Sequence, residues 1–371
     1  MAKRESTVEM LVSSIGANPD PAFWRGRRVA LTGHTGFKGS WMALLLTRLG
    51  AQVYGYALAP STQPNLFTSA QVETHIDSQI GDIRNADTLG AWLARANPEI
   101  VFHFAAQALV KQSYLDPFAT MTSNFVGTLN LLEAARTQAS IRAMVIVTTD
   151  KVYKNNESGQ AYQEHDALGG HDPYSASKAA CEILVSSYKQ CFLQHIGVAT
   201  ARAGNVIGGG DWAADRLIPD AVRAWSQQQE LDIRRPDAIR PWQHVLEPLC
   251  AYLILAQNLA RNCSAGPELS NAYNFGPDII DAVTVREVIE QAQRSFGSGT
   301  VKFAEQIAGP HEAGLLHLDN GLAKKQLGVY PRWNLKEAVQ RSMDWYKSYL
   351  HGASAAKLCA ADMDAYLFGE S

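Results

Sequence analysis

The sequence predicts an α/β protein with a Rossmann-type, doubly wound parallel sheet and a smaller α/β domain on its C-terminal side. Short, nearly continuous apolar strands alternate with helical segments, which is typical of a parallel sheet buried on both faces. A glycine-spaced turn joins the first strand directly to the first helix of this pattern. After about Asn205 the alternation stops, and glycines at 208–210 with several prolines indicate a more irregular unit.

The strands are predicted from their apolar runs. The first covers 27–32 and ends directly before Gly33. A helix is predicted from about Gly39 to Leu49, because Gly50 provides a common C-terminal stop. Residues 273–276 are expected to return to the main sheet as a late strand. The remaining strands of the first half are predicted at 51–56, 100–104 and 143–147.

The segment boundaries follow from the same change of pattern. We predict a lead-in at 1–22, a dinucleotide-binding Rossmann domain at 23–204, and a nucleotide-sugar-binding domain at 205–371 that is partly interleaved with the first. The N-terminus lacks the apolar stretch of about 7–15 residues that a signal peptide needs. No run approaches about 18 consecutive apolar residues, so no membrane span is predicted.

The composition excludes several classes of protein. The formal net charge of −3 lacks the basic excess typical of nucleic-acid binders. The five cysteines are scattered and form no C-x-x-C pair, which favours neither a zinc site nor a disulfide framework. Reduced thiols of this kind fit the cytoplasm. No metal site is predicted.

The glycine turn has the spacing of a phosphate-binding loop. Glycines stand at 33, 36 and 39, after a strand and at the start of a helix. Glycines there keep Cβ atoms away from a dinucleotide pyrophosphate at the helix N-terminus. The alternative is a plain structural turn. The acidic residue expected about 20 residues onward to hold the ribose of NAD is missing from 56–62, so NAD and NADP both stay open.

Two constellations predict chemistry. Tyr174 and Lys178 form a Y-x-x-x-K pair on one face of a helix, and we expect the ammonium to lower the phenol pKa. The alternative is a helix start with a surface lysine. Thr149, Asp150 and Lys151 follow a strand, at the edge where parallel sheets bind ligands. An adjacent acid and base suit the elimination of water, whereas the alternative is an exposed ion pair.

These residues resemble the nucleotide-sugar 4,6-dehydratases of the extended short-chain dehydrogenase/reductase family, and within it the enzymes of the CDP-glucose branch. The resemblance runs from Phe23 to about Trp345. The dTDP-glucose enzymes are less similar, because they have Asp-Glu where this chain has Asp150-Lys151. The specific motifs lie at 33–41, 102–107, 169–174, 202–212 and 239–245.

The resemblance implies dehydration of CDP-D-glucose to CDP-4-dehydro-6-deoxy-D-glucose with NAD as cofactor, NADP not being excluded. Tyr174 would take the C4 hydroxyl proton, Lys151 the C5 proton, and Asp150 would protonate the departing C6 hydroxyl. Thr149 would bond the C4 oxygen. Asp150 must then be protonated and Lys151 neutral. Burial favours both states and their mutual attraction opposes them, so the proton's location within the pair stays open.

The resemblance also implies the binding residues. The expected substrate contacts are Gln107, Asn205, Arg216, Arg240, His311 and Glu312. The expected cofactor contacts are Gly33, Thr35, Gly36, Phe37, Gly39, Asp82, Ile83, Ala105 and Ala106, together with Tyr174 and Lys178. Two of these have alternatives, since Asp82 could be a turn residue and Arg216 could pair with Asp215 at the surface. His103 is expected to pack at a strand end.

Three other functions stay open at this point. These are a nucleotide-sugar 4-epimerase, a 4,6-dehydratase acting on another nucleotide sugar, and a non-catalytic NAD-binding protein of the same fold. The family also implies deoxysugar biosynthesis for lipopolysaccharide O-antigen, and a homodimer. A small-to-apolar stripe would form the dimer helix or pack within the monomer, and it comprises Ala176, Ala179, Ala180, Ile183, Leu184 and Ser187.

Overall fold

A parallel sheet forms the centre of the protein in the computed structural model, which describes residues 17–155, 159–262, 269–278, 283–304 and 316–369. The sheet order is β11-β6-β5-β4-β1-β2-β3, and every pairing in it is parallel. Its strands are β1 (Arg28–Thr32), β2 (Gln52–Ala57), β3 (Asp77–Ile80), β4 (Ile100–His103), β5 (Ala143–Val147), β6 (Gly197–Ala203) and β11 (Ala272–Phe275). The predicted doubly wound fold is confirmed, and the late strand at 273–276 joins the main sheet beside β6.

Helices cover both faces of this sheet. In β5, Val145 and Val147 join one apolar cluster, whereas Met144 and Ile146 join the other. This alternation is what a strand buried on both faces requires. The helices of the first part are α1 (Pro21–Trp24), α2 (Phe37–Arg48), α3 (Leu66–Ser69), α4 (Ala86–Ala96), α5 (Val110–Leu115), α6 (Pro117–Met121), α7 (Gly127–Ala135) and α8 (Pro173–Cys191).

The later part of the chain is built from short strand pairs and long helices. Its pairs are β7 (Val206–Ile207) with β10 (Gln243–His244), β9 (Ile239–Arg240) with β12 (Val283–Thr284), and β8 (Glu230–Ile233) with β13 (Thr300–Phe303). Its helices are α9 (Leu217–Ser226), α10 (Leu246–Asn262), α11 (Val285–Phe296), α12 (Gly321–Leu327), α13 (Leu335–Leu350) and α14 (Ala355–Phe368). One apolar cluster runs without a break from the main sheet into these helices.

The boundaries differ slightly from the prediction. Helix α2 starts at Phe37 rather than Gly39, because Gly36 already serves as its N-cap residue. Strand β3 was not predicted, since its residues 77–80 are mostly polar and form the sheet edge. Part of the predicted lead-in is anchored, with the Ala17 amide donating to the Gly328 carbonyl at 2.9 Å. None of the helices in the described ranges is long and apolar enough to cross a membrane.

Candidate active site

The glycine turn lies where the strand order reverses, between β1 and β4. Gly33 has φ +79°, and a Cβ there would lie 2.6 Å from the Ala105 backbone nitrogen. A Cβ on Gly39 would overlap the Gly33 carbonyl oxygen, whereas a Cβ on Gly36 would be 3.4 Å from that oxygen. The turn is therefore closed at its base and open at the N-terminus of α2. This geometry fits a pyrophosphate group at the switch point of the sheet.

The other predicted cofactor residues differ in how far they are buried. The Thr35 hydroxyl donates to the Leu58 carbonyl at 2.8 Å and so holds the turn to the end of β2. Phe37 is half-buried, and Ala105 and Ala106 follow β4 in the same partly exposed layer. Ile83 is buried against α7. The loop residues are thus gathered along one edge of the sheet.

Asp82 has a local partner. Its carboxylate accepts from the Arg84 side chain at 2.9 Å and from the Arg84 amide at 2.9 Å. The side-chain hydrogen bond with Arg84 is the main reason why the pKa of Asp82 is lowered. These hydrogen bonds are what we expect if Asp82 is a turn residue, and they leave its side chain 29% exposed.

The acid–base segment begins directly after β5. Thr149 is the N-cap of a short 3₁₀ turn at Asp150–Val152, and its hydroxyl donates to Asp150 Oδ1 at 2.9 Å. Asp150 is buried, and its Oδ2 has no hydrogen-bond partner among the residues that the structure describes. Burial raises the pKa of Asp150, against the lowering effect of Lys151, which is half-buried. A buried carboxyl in this state is suited to hold a proton.

Tyr174 and Lys178 are carried by the first turns of α8. The helix begins here because Pro173 occupies its first position and Asp172 Oδ1 accepts from the Ser175 amide at 2.9 Å. Both catalytic candidates are buried. Lys178 Nζ donates to the carbonyl of Val147 at 2.8 Å, which ties α8 to the end of β5.

The expectation that Lys178 lowers the pKa of Tyr174 is wrong for this arrangement. Burial raises the pKa of Tyr174 to about 12. A hydrogen bond with Thr149 is the largest effect that lowers this pKa, and the positive charge of Arg216 also lowers it. The reason is that the Lys178 ammonium is directed at the Val147 carbonyl and its own pKa is lowered by burial.

The predicted substrate arginines both lie near this centre. Arg216 donates to Asp211 Oδ2 at 2.9 Å, so the alternative pairing with Asp215 is wrong. Asp215 instead accepts from Lys111 at 3.0 Å. Arg240 is buried and lies close enough to Asp150 for its charge to lower the pKa of that carboxyl.

Two further predicted substrate residues, Asn205 and Gln107, are hydrogen-bonded within the chain. Asn205 follows β6, and its carbonyl accepts from the Gln243 amide at 3.0 Å. Gln107 is tied into its own loop, because its side chain donates to Thr120 Oγ1 at 2.9 Å and accepts from the Leu109 amide. His311 and Glu312 lie outside the described residues.

His103 packs as expected at the end of its strand. Its ring nitrogens lie 2.7 Å from Thr32 Oγ1 and 3.0 Å from Thr128 Oγ1. Burial lowers the pKa of His103 to about 3, so the ring is neutral and serves the packing of the turn.

Two polar side chains at the site had no role assigned from the sequence. Lys38, on the first turn of α2, is half-buried, and burial is the main reason why its pKa is lowered to about 8. Asp150 and Asp211 act on it in the opposite direction. Asp211 is buried and orients Arg216. The signal for Lys38 was its position inside the glycine turn, whereas Asp211 lies in an irregular loop with no characteristic spacing.

Comparison with known proteins agrees with this geometry. The sequence model of the family described as GDP-mannose 4,6 dehydratase matches residues 31–342. A CDP-glucose 4,6-dehydratase from Salmonella typhimurium is 45% identical over 340 residues, covering 90% of this chain and 94% of the relative. A dTDP-glucose 4,6-dehydratase from Streptomyces antibioticus is 28% identical, covering 72% of this chain and 75% of the relative.

Solved structures share the fold. A UDP-glucose-4-epimerase from Stenotrophomonas maltophila with bound NAD superposes with a TM-score of 0.77 at 20% identity, covering 88% of this chain and 100% of that one. A dTDP-glucose 4,6-dehydratase from Bacillus anthracis in complex with NAD gives a TM-score of 0.72 at 22% identity, covering 86% and 96%. On the family match and the 45% identity, the chain belongs to the nucleotide-sugar 4,6-dehydratase family of the extended short-chain dehydrogenases/reductases.

Proposed function

We propose that this chain dehydrates CDP-D-glucose to CDP-4-dehydro-6-deoxy-D-glucose. The observation that carries the proposal is the buried Asp150 carboxyl beside Lys151, close enough to Tyr174 for the charge of Asp150 to act on the pKa of the phenol. An oxidoreductase or epimerase of this fold needs the tyrosine, but only an elimination needs an added acid and base. The Salmonella relative at 45% identity supports CDP-glucose as the substrate.

NAD is the cofactor that the turn at Gly33–Gly39 fits. The residues that would hold it are Gly33, Gly36, Phe37 and Gly39 at the pyrophosphate, and Tyr174 with Lys178 near the reacting end. Asp82, Ile83, Thr35, Ala105 and Ala106 would complete the site. The chemistry that NAD supplies when bound is acceptance of hydride from C4 and its return to C6. The NAD-bound solved structures of the same fold support this assignment.

The chain's own groups divide the proton transfers. Tyr174 would accept the proton of the C4 hydroxyl as a phenolate, while Thr149 bonds the C4 oxygen. Because burial raises the pKa of the phenol, this step needs the positive charge of Arg216 and of bound NAD to favour the phenolate. The resulting ketone acidifies the C5 hydrogen, which Lys151 removes. Asp150 gives a proton to the C6 hydroxyl so that water leaves, and Lys151 then returns a proton to C5. The raised pKa of Asp150 supports its role as the acid.

The arginines would bind the diphosphate. Arg240 and Arg216 present guanidinium groups, whose planar fork of donors suits phosphate oxygens. Arg216 is one-third exposed and is held by the hydrogen bond from its Nη1 to Asp211, so it would meet a ligand with its other guanidinium donors. Asn205, Gln107, His311 and Glu312 would complete the sugar-nucleotide site.

Product analysis with CDP-, dTDP-, GDP- and UDP-glucose tests this function. We expect a product that has lost one water, with a 4-keto group, from CDP-glucose alone or far faster than from the others. Conversion of UDP- or CDP-glucose to the galactose isomer without loss of water would instead establish an epimerase. Binding of NAD with no turnover of any of these sugars would establish a non-catalytic protein.

We also propose a homodimer that pairs the exposed apolar side chains of α5, α6 and α8. Leu115 is 73% exposed, Phe118 78% and Ile183 63%, and they belong to helices that pack together. Ala179 in the predicted stripe is buried within the monomer, so only part of that stripe is free to pair. Soluble monomers rarely expose clustered apolar side chains of this size.

Light scattering after size-exclusion chromatography tests the dimer. Phe118→Ser should produce a monomer, because it removes the most exposed apolar side chain of the patch. Phe368→Ser is the matched control, since Phe368 is 74% exposed but lies at the end of α14. A monomeric wild-type chain, or equal behaviour of both variants, would contradict the proposal.

We also propose that the protein acts in the cytoplasm and in the synthesis of deoxysugars for lipopolysaccharide O-antigen.

A further inference from the structure

A buried and fully hydrogen-bonded ion pair lies next to the acid–base segment Thr149–Lys151. The side chains of Glu182 on α8 and Arg202 on β6 are 3% and 4% exposed. Glu182 Oε1 accepts from the Thr148 hydroxyl at 2.5 Å and from Arg202 Nε at 3.0 Å. Its Oε2 accepts from the Thr200 hydroxyl at 2.6 Å and from Arg202 Nη2 at 2.8 Å. Each carboxylate oxygen therefore has two donors.

This ion pair holds the acid–base segment at both ends. Thr148 stands directly before Thr149 and is bonded to Glu182. At the other end, the Tyr153 hydroxyl accepts from Arg202 Nη1 at 2.7 Å and donates to Asn274 Oδ1 of β11 at 2.6 Å. Asp150 and Lys151 thus lie between two side chains that are fixed to the same pair.

The ion pair is also connected to the tyrosine–lysine pair. Glu182 follows Lys178 by four residues and Tyr174 by eight on the continuous helix α8. Residues at this spacing share one helix face, so the same helix holds the carboxylate and the two catalytic side chains. The hydrogen bond between Thr148 and Glu182 therefore connects the helix that carries Tyr174 and Lys178 to the segment that carries Asp150 and Lys151.

Stability alone does not account for such an arrangement. Replacing a buried ion pair with apolar residues of similar volume is often neutral or stabilising, because desolvation offsets the attraction. What a bidentate, fully bonded pair does provide is fixed geometry. We propose that Glu182 and Arg202 are positioning residues that set the spacing between Asp150–Lys151 and Tyr174–Lys178. The proposal rests on the dehydratase function given above.

Three single substitutions test the proposal without breaking the ion pair. Thr148→Val and Tyr153→Phe each remove one hydroxyl that anchors the acid–base segment. Thr200→Val is the matched control, because it removes an equally buried hydroxyl from the same carboxylate but lies on β6 away from that segment. Misplacement of catalytic groups by about 1 Å can cost roughly 100-fold in rate. We expect kcat for Thr148→Val and Tyr153→Phe to fall about 10- to 100-fold with little change in KM.

The diagnostic readout is the partition between oxidation and elimination. Slower elimination with intact oxidation should make reduced NAD accumulate during turnover of Thr148→Val, and Thr148→Ser should restore normal partition. Thr200→Val should lose similar thermal stability without that accumulation. Equal kinetics for the three valine and phenylalanine variants would overturn the positioning role. A wild-type chain that turns over no nucleotide sugar would instead overturn the proposed function, so the two failures are distinguishable.

Discussion

Two carboxyl groups, Asp150 after β5 and Glu182 in the middle of α8, are both buried but are hydrogen-bonded in opposite ways. Glu182 accepts from four donors, two of them on Arg202, whereas Asp150 has one donor and an oxygen with no partner in the described part of the chain. Native proteins bond most of their buried polar atoms, and those left unbonded call for an explanation. The contrast separates a group that fixes geometry from a group that is kept ready for a ligand.

Asp150→Asn should give the largest effect on activity. The amide keeps the shape of the carboxyl and can still accept from Thr149, but it cannot give a proton to a leaving hydroxyl. General acid catalysis contributes roughly 10²–10⁴-fold, so we expect kcat to fall by about that factor. The measurement is the rate of 4-keto product formation, with binding of NAD by tryptophan fluorescence as the control for folding.

The same variant should not lose stability. Because a buried carboxyl with an unbonded oxygen is costly, Asp150→Asn should leave the free energy of unfolding unchanged or raise it. A variant that kept its activity, or that unfolded readily, would remove the distinction between the two carboxyl groups.

Glu182→Gln should differ from Asp150→Asn by costing stability as well as rate. The amide leaves the buried Arg202 without its counter-charge, and breaking a buried pair in this way costs about 3–5 kcal/mol. Chemical denaturation measures this loss. Glu133→Gln is the matched control, since Glu133 pairs with Arg136 at an exposed site and should change the free energy of unfolding by less than about 1 kcal/mol. Equal losses in the two variants would contradict the contrast.

The sequence was sufficient for the central fold because buried parallel strands have a strong apolar signal. Strand β5 was predicted at its observed bounds of 143–147, and β1 within one residue. Strand β3 escaped prediction since an exposed edge strand needs no apolar run. Local motifs likewise identified Asp150, which is adjacent to Lys151, and Tyr174, which precedes Lys178 by four residues.

The supporting residues could not be predicted in this way. Glu182 and Arg202 belong to different elements, and only the pairing of β5 with β6 and the packing of α8 bring them together. The same is true of Asp211, which replaced Asp215 as the partner of Arg216. Partners chosen by tertiary packing leave no fixed spacing in the chain.

Asp362 offers a third buried carboxyl, far along the chain on α14, with which the comparison can be sharpened. Its Oδ2 has no partner among the described residues, and burial raises its pKa from 3.8 to about 7. A carboxyl whose pKa is higher in the folded state binds more protons there, so stability falls as pH rises from about 4 to about 7.

Asp362→Asn should remove that pH dependence. We expect the variant to be more stable than the wild type at pH 8, by on the order of 1–3 kcal/mol, and to converge with it near pH 4. Urea denaturation across this range measures the difference. Asp362 Oδ1 lies 3.7 Å from Arg341 Nη1, so only Oδ2 is left without a partner among the described residues. If wild type and variant kept parallel pH profiles, burial of a carboxyl with one unbonded oxygen would not be costly here, and the interpretation of Asp150 would lose its energetic basis.

Asp82 should give the smallest effect, because it is the bonded but exposed counterpart of Glu182. Its pairing with Arg84 is at the surface, where such pairs contribute about 0–1 kcal/mol, so Asp82→Asn should barely change the free energy of unfolding. If Asp82 also contacts the adenine of the cofactor, the variant should bind NAD several-fold more weakly, whereas a turn residue alone would leave the affinity unchanged. Isothermal titration of NAD against both proteins separates these outcomes. Weaker binding at unchanged stability would mean that a carboxylate with hydrogen bonds inside the chain can still contact a ligand. The exposure of a carboxylate, and not only its hydrogen bonds, would then decide whether it can bind one.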